Sequence, residues 1–284
     1  MLNRRKKMTN IDGQQMVLET RFKFGENWAN FLSNLGELQI QEAERSLEEM
    51  LKVKSLAGQT FLDIGNGSGV FSLAAMRLKA DRVHSFDYDQ QSVACAQELK
   101  RRYFPDNGQW VIEQGNALDE AYIRSLGDFD IVYSWGVLHH TGNMWRALDL
   151  ARIPVKKGGK LFISIYNDQG RISSWWKTIK RAYNLLPSGL RFLILYPVLV
   201  KFWAGKTVGD ILRGRPFHTW RSYATRRGMS AWYDVVDWAG GYPFEVASPA
   251  EICNFYIAKG FELRQLKTMG GGSGCNEYVF MRTS

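Results

Sequence analysis

Residues 61–75 read FLDIGNGSGVFSLAA: an apolar run ending at Asp63 and Ile64, then Gly65, Gly67 and Gly69, then an apolar stretch of helical character. Three glycines at alternate positions allow a turn too tight and bare for side chains, and here it leads from a strand into a helix. The alternation continues beyond it. Strands TFLDI, RVHSFDY, WVIEQGNAL, FDIVYSWGVLHH and GKLFISIYN are interleaved with helices GVFSLAAMRLK, QQSVACAQELKRRYF and NMWRALDLARIPV. Strands separated by helices of this length predict an α/β fold with a mostly parallel sheet and helices on both faces. In such a sheet a ligand lies beyond the carboxyl ends of the strands, where the strand order reverses.

The chain has 284 residues, 45% hydrophobic and 23% charged, which suits one large domain or a core with a sizeable elaboration. Its cysteines, Cys95, Cys253 and Cys275, are scattered, and its four histidines share no ligand spacing with them, so neither a disulfide framework nor a metal site is expected. No uncharged apolar stretch reaches 18 residues, so no spanning helix is expected, and the basic start MLNRRKKMTN leads into no signal core. These features predict a reduced, cytoplasmic protein.

The net charge of +9 has an address. Between Gly170 and Gly228 lie twelve basic residues and one acid, Asp210, a net +11 that leaves the rest of the chain at −2. The same region contains Phe192 to Val200, nine uncharged residues between Arg191 and Lys201. One reading makes Trp175, Trp176, Leu193, Leu195, Tyr196 and Leu199 the small core of a helical cap over the site. The other rests this region, residues 170–228, on an anionic membrane surface or gives it a lipid-bearing substrate, with peripheral membrane association. At the other end, a helix is predicted from about Asn27 to Lys54, with Leu38, Ile40, Ala43, Leu47, Met50 and Leu51 near helical spacing. Phe22, Phe24, Trp28 and Phe31 precede or open it, either packing the helix on the core or covering a ligand.

The ligand follows from the charges around the glycine turn. A dinucleotide loop spaces its glycines G-x-G-x-x-G, whereas here they run G-x-G-x-G behind Asp63, a carboxylate that repels pyrophosphate and suits an ammonium group. Asp87, ending the second strand, can accept hydrogen bonds from both hydroxyls of a ribose, and Asn116, after the third, can offer its amide to an adenine edge. S-adenosylmethionine, with an adenosine, a cationic amino-acid part and no phosphate, fits this set.

With these residues in place, the chain resembles the class I S-adenosylmethionine-dependent methyltransferases, and among them the small-molecule or quinone-type branch. The resemblance rests on FLDIGNGSG, on Asp87, on QGNAL, on FDIVYSWGVLHH and on VKKGGKLFISIYN, with a weaker return at GFELRQLKTMGGGSGCNEYVFMR. It implies a Rossmann-like, mostly parallel seven-stranded sheet whose last two strands are antiparallel, plus a largely helical inserted cap. It also implies that Asp63, Gly65, Asn66, Gly67 and Gly69 line the methionine side, that Asp87 holds the ribose, and that Tyr88 lies by the adenine. Asn116 and Ala117 then reach the adenine edge, and Trp28 completes the cofactor site. The expected organisation is an N-terminal segment and helix, 1–56, completing or covering the cofactor site, a methyltransferase core of 57–166 with 247–284, and an inserted cap or substrate-binding region, 167–246.

Methyl transfer to an alcohol needs a proton acceptor near the oxygen, and His139 and His140, at the exit of the fourth strand, can supply one at neutral pH. By resemblance His140 is the one turned to the pocket, with Tyr166 at the same mouth. In MSAWYDVVDWAGGYPFEVASP, Asp234 and Asp237 share one side of a helical turn, and Tyr233, Asp237 and Glu245 join the candidate catalytic set. The same stretch also reads as a hinge returning the cap to the core. The expected acceptor is small, glycan-like or lipid-linked, methylated at oxygen. RNA or protein as acceptor, and a cofactor-binding module without catalysis, stay open as alternatives; no adenine-amine or cytosine-carbon motif is found, and nucleic acid is the less favoured partner.

Overall fold

A computed structural model describes Phe22, Leu32, residues 35–223 and residues 231–284, with Tyr233 described by its backbone alone. Five strands, β1 (Thr60–Ile64), β2 (Arg82–Asp87), β3 (Trp110–Gln114), β4 (Phe129–Trp135) and β5 (Val155–Tyr166), run parallel. Two more, β6 (Phe261–Lys267) and β7 (Cys275–Arg282), complete a seven-stranded sheet of order β3-β2-β1-β4-β5-β7-β6, in which β7 is antiparallel to both neighbours. The expected Rossmann-like sheet is therefore present. In the central β1, Phe61, Leu62 and Ile64 are wholly buried on alternate faces, which is why this strand reads as an unbroken apolar run.

Helices α1 (Glu37–Leu51), α2 (Val70–Arg77) and α3 (Gln90–Tyr103) cover one face, where Ile40, Leu47, Leu73 and Leu99 pack with Phe61 and Val83. Buried positions of α1 fall at Ile40, Ala43, Leu47 and Leu51, the spacing of one helical stripe, and Arg77 of α2 pairs with Glu37 and Glu44 at its rim. On the other face α4 (Glu120–Ser125) and α5 (Met144–Ala151) contribute Ile123 and Leu148 to a core with Leu62, Ile64 and Leu161. Helices α6 (Arg171–Leu185), α7 (Phe192–Leu212), the four-residue α8 (His218–Arg221) and α9 (Ala231–Gly240) follow β5, and α10 (Pro249–Ile257) returns to the sheet.

Several elements depart from expectation. The described first helix starts at Glu37 and stops at Lys52, which turns left-handed at φ 54°; residues 27–31 lie outside the described residues. Helix α5 ends at Ala151, three residues before Pro154, which cannot donate a helical hydrogen bond, and Val155 already belongs to β5. Helix α4 was not expected: six residues are too few for a period, and its start is set by Asp119, whose side chain accepts from Tyr122 N at 3.1 Å.

The inserted helices have their own core of Trp176, Tyr183, Leu195, Val198, Trp203, Val235 and Phe244. Trp176 and Leu195 take the expected cap-core places and Leu199 packs beside them, but Trp175, Leu193 and Tyr196 are exposed. Lys180, counted with the surface charge in the sequence, is instead fully buried. Nor does the absence of a long uncharged stretch exclude a long apolar helix. The helical stretch Ser188–Leu212, which joins a 3-10 turn to α7, is long and apolar enough to cross a membrane by length and composition.

Candidate functional site

From β1 the chain steps outward to β2 and β3 on one side, while β4 and β5 extend the sheet on the other, so the strand order reverses between β1 and β4. A cavity of about 1460 Å³ opens there, beyond the carboxyl ends of these strands. One end is lined by Asp63, Gly65, Asn66, Gly67, Asp87 and Tyr88, the other by His140, Tyr166, Phe202, Asp234, Asp237 and Trp238.

The glycine turn is shaped by contacts that leave no room for side chains. Gly65 has φ 76°, and a Cβ there would come within 2.4 Å of a Val137 methyl. Its N–H and that of Asn66 donate to Phe86 O at 2.8 and 3.1 Å, tying the turn to β2. Gly69, at φ 83°, opens α2, and a Cβ there would meet Ala96 of α3 at 2.7 Å; it permits helix packing and does not line the cavity. Asp87 accepts from Gly67 N at 3.0 Å with one oxygen and from Asp89 N at 2.9 Å with the other, so it braces the loop as well as facing the cavity. Asn116 and Ala117 are not on the cavity lining. Asn116 Oδ1 instead accepts from Leu118 N at 2.9 Å in the turn after β3. Trp28 lies outside the described residues.

Asp63 ends a chain of donors that nothing in the linear sequence joins. Trp110 Nε1 donates to Ser85 Oγ at 2.9 Å, Ser85 and Ser72 hydroxyls meet at 2.7 Å, and Ser72 Oγ donates to Asp63 at 2.5 Å. Trp110 can only donate, so one consistent direction runs through both serines to the carboxylate, each bond polarising the next. Burial nevertheless raises the Asp63 carboxyl to about 7, with the Ser72 bond opposing and the Asp87 charge adding to it. Two polar atoms on this lining, Asn66 Oδ1 and Tyr133 Oη, are buried with no hydrogen-bond partner among the described residues. Ser72 and Ser85 were missed because each is a lone small polar residue inside an apolar element, a faint signal that only their mutual contact makes meaningful.

At the other end the two histidines divide. His139 is wholly buried, its ring 4.1 Å from that of Tyr166, and burial holds it well below the usual imidazole range, so it is neutral. His140 lines the cavity, and its Nδ1 lies 2.6 Å from Pro243 O. A carbonyl can only accept, so Nδ1 carries a proton, and in the neutral form of such a ring the lone pair is on Nε2. Tyr166 lines the cavity too, with its phenol pushed up by burial and so kept as a neutral hydroxyl.

Asp234 and Asp237 of α9 both reach the lining, and Tyr223 Oη donates to Asp234 at 2.7 Å. Trp238 Nε1, on the same wall, is buried without a hydrogen-bond partner among the described residues. Behind it Lys180 donates to Trp238 O and lies 4.8 Å from the Phe244 ring centroid, with burial lowering its ammonium to about 7. Glu245 sits off the lining. Its carboxylate accepts from Met144 N at 3.0 Å, capping α5, which anchors the segment after α9 to the core. Nothing is described for the Tyr233 side chain.

Residues 62–161 match the family model described as a methyltransferase domain. Among curated proteins, ribosomal protein L11 methyltransferase of Pediococcus pentosaceus is 46% identical over 50 residues, 18% of this chain and 16% of that protein. Ubiquinone biosynthesis O-methyltransferase of Dechloromonas aromatica is 28% identical over 113 residues, 40% of this chain and 47% of that protein. The chain spans less than half the length of the curated relatives it matches. Among solved structures, magnesium protoporphyrin IX methyltransferase from Synechocystis PCC 6803 with bound SAH aligns at a TM-score of 0.50 and 14% identity, covering 86% of this chain and 83% of that one. That likeness shows the fold.

Proposed function

We propose that this chain, which carries a class I S-adenosylmethionine-dependent methyltransferase domain with S-adenosylmethionine as its cofactor, methylates an oxygen of a small, glycan-like or lipid-linked acceptor. The observation that carries the reading is one continuous cavity lined by Asp63 and Asp87 and also by His140. The residues present fit the cofactor. Gly65 and Gly67 bare the backbone, Asp63 and Asp87 offer carboxylates, and the orphaned Asn66 Oδ1 awaits a donor. When bound, the cofactor supplies an electrophilic methyl on a sulfonium, open to in-line attack.

In this reading, residues 57–166 with 247–284 form the methyltransferase core, 167–246 the inserted cap, and 1–56 a segment completing the cofactor end. His140 Nε2 takes the hydroxyl proton of the acceptor as its oxygen gains the methyl, and the Nδ1–H bond to Pro243 O steadies the resulting imidazolium. Tyr166 and Trp238 Nε1 donate to the acceptor's polar atoms, and Phe202 with the Trp238 face shields the reaction from water. Asp234 and Asp237 accept from acceptor hydroxyls. We place the protein in the cytoplasm, with the 170–228 region against an anionic membrane.

The test is methyl transfer from labelled S-adenosylmethionine into separated small-molecule, lipid, protein and RNA fractions of source cells. Label in a small-molecule or lipid fraction supports the reading. Label confined to protein or RNA moves the assignment to the alternative suggested by the name of the ribosomal-protein methyltransferase relative, and no label anywhere leaves a cofactor-binding module.

The raised Asp63 carboxyl makes a separate prediction about binding. Below about 7 the buried carboxyl is protonated in the free protein, and an ammonium beside it favours the ionised form, so binding expels the proton. Cofactor affinity is therefore expected to rise with pH up to about 7 and level off above it. Titration calorimetry in buffers of different ionisation heats reads the released proton directly. A pH-independent affinity without proton release would separate Asp63 from the cofactor's charge.

A further inference from the structure

Helix α7 leaves an apolar face uncovered. Its 21 residues span about 30 Å at 1.5 Å per residue. Its inner face buries Leu195, Val198 and Trp203 in the cap core and brings Phe202 and Lys206 to the cavity. The outer face presents Leu193, Tyr196, Val200, Val208, Ile211 and Leu212, between 54% and 82% exposed. The charge on this side is Lys201, whose Nζ lies 5.6 Å from the ring centroid of Trp175, itself half exposed on α6. A surface helix in water keeps its polar residues on the outer side, and here the pattern is inverted.

The exposed charges of the same stretch of chain are of one sign. Arg171, Arg181, Lys201, Arg213, Arg215 and Arg221 are exposed between residues 170 and 223, while the one acid of that stretch, Asp210, is buried and accepts from Thr219 N and Oγ1 at 2.6 and 2.8 Å. We propose that α7 is an in-plane anchor on an anionic bilayer. Its outer face lies among the upper acyl chains, the arginines and Lys201 reach headgroup phosphates, and a lipid-borne acceptor enters the cavity that the inner face of the same helix walls. The acceptor clause rests on the lipid-linked reading above, and the anchor deepens the membrane placement proposed there without depending on methyl transfer.

Physical chemistry separates this occupant from its rivals. A spanning helix would meet lipid all round, but one side of α7 is packed against protein and carries Asp210. A second copy docked by a two-fold axis would set basic rims against basic rims with no exposed acid from this stretch to pair them. RNA would meet the arginines but leave the aliphatic face in water.

Flotation of the full chain with phosphatidylcholine vesicles, with and without about one third phosphatidylglycerol, at low and high salt tests the anchor. The chain is expected on anionic vesicles, with binding reduced but not abolished by salt. Leu193→Glu with Val200→Glu, both at exposed positions, is expected to lower vesicle affinity about tenfold or more while calorimetry shows unchanged cofactor affinity. Lys201→Glu with Arg213→Glu is expected to remove the preference for anionic lipid. No vesicle binding by the parent overturns the anchor, as does binding that the Leu193 and Val200 pair leaves intact, or a dimer in light scattering that the same pair dissolves. Vesicle binding by a chain that transfers no methyl group refutes the enzymatic reading and leaves the anchor standing.

Discussion

Asp87→Ala is expected to weaken S-adenosylmethionine binding by about 2 to 4 kcal/mol, roughly 30- to 1,000-fold, the scale of losing charge-assisted hydrogen bonds in a partly dry site. Asp87 accepts from Gly67 N with one carboxylate oxygen and from Asp89 N with the other, and the same carboxylate faces the cavity where a ribose would lie. The substitution thus removes the ribose acceptors and loosens the glycine turn together. Asp87 also contributes to raising the Asp63 carboxyl, so the pH at which affinity levels off is expected to fall in the variant. Calorimetric titration across pH, on protein shown to be folded by its unfolding transition, measures both effects. Unchanged affinity in folded Asp87→Ala would remove the ribose role.

His140→Ala is expected to cut turnover by about a hundredfold or more with cofactor affinity nearly intact, the scale of losing a positioned general base. Packing and chemistry are separable at this residue because Nδ1 donates to Pro243 O, a bond that an amide can imitate without supplying a base. In His140→Asn the side-chain amide can keep a donor near that carbonyl while supplying no base, so it is expected to be about as slow as the alanine variant. Near-parental turnover in His140→Asn would make the histidine a positioning residue.

The parts of this protein legible in one dimension are those governed by local chain physics. Glycines at 65, 67 and 69, behind the buried end of β1, announced the turn, because at 65 and 69 a left-handed backbone coincides with Val137 and Ala96 contacts that leave no room for a Cβ. The parallel sheet followed from strands spaced by helices, and Asp63 and Asp87 stood out because each lies in the last two residues of a strand whose carboxyl edge borders the cavity. Composition misled where burial overrode residue type: Lys180 counted toward a basic surface yet lies beneath Trp238.

Other assignments depended on which distant segments meet. Glu245 caps α5, 101 residues away in sequence. The Trp110, Ser85, Ser72 and Asp63 chain is assembled from three strands and a helix. Helix α7 is the sharpest case, because its residues are apolar nearly all round and no period could mark one side as core. Which side faces protein was decided by Trp176 and Val235 packing against it, leaving Val200 and Leu212 in the open. Sequence by itself determined the turn, the strands and the two carboxylates, because backbone sterics and burial on both faces act within a few residues. Which of the acceptor-end candidates reach the cavity, and which face of α7 stays exposed, were decided only by tertiary structure, because desolvation and contact depend on neighbours that the chain brings together from far apart.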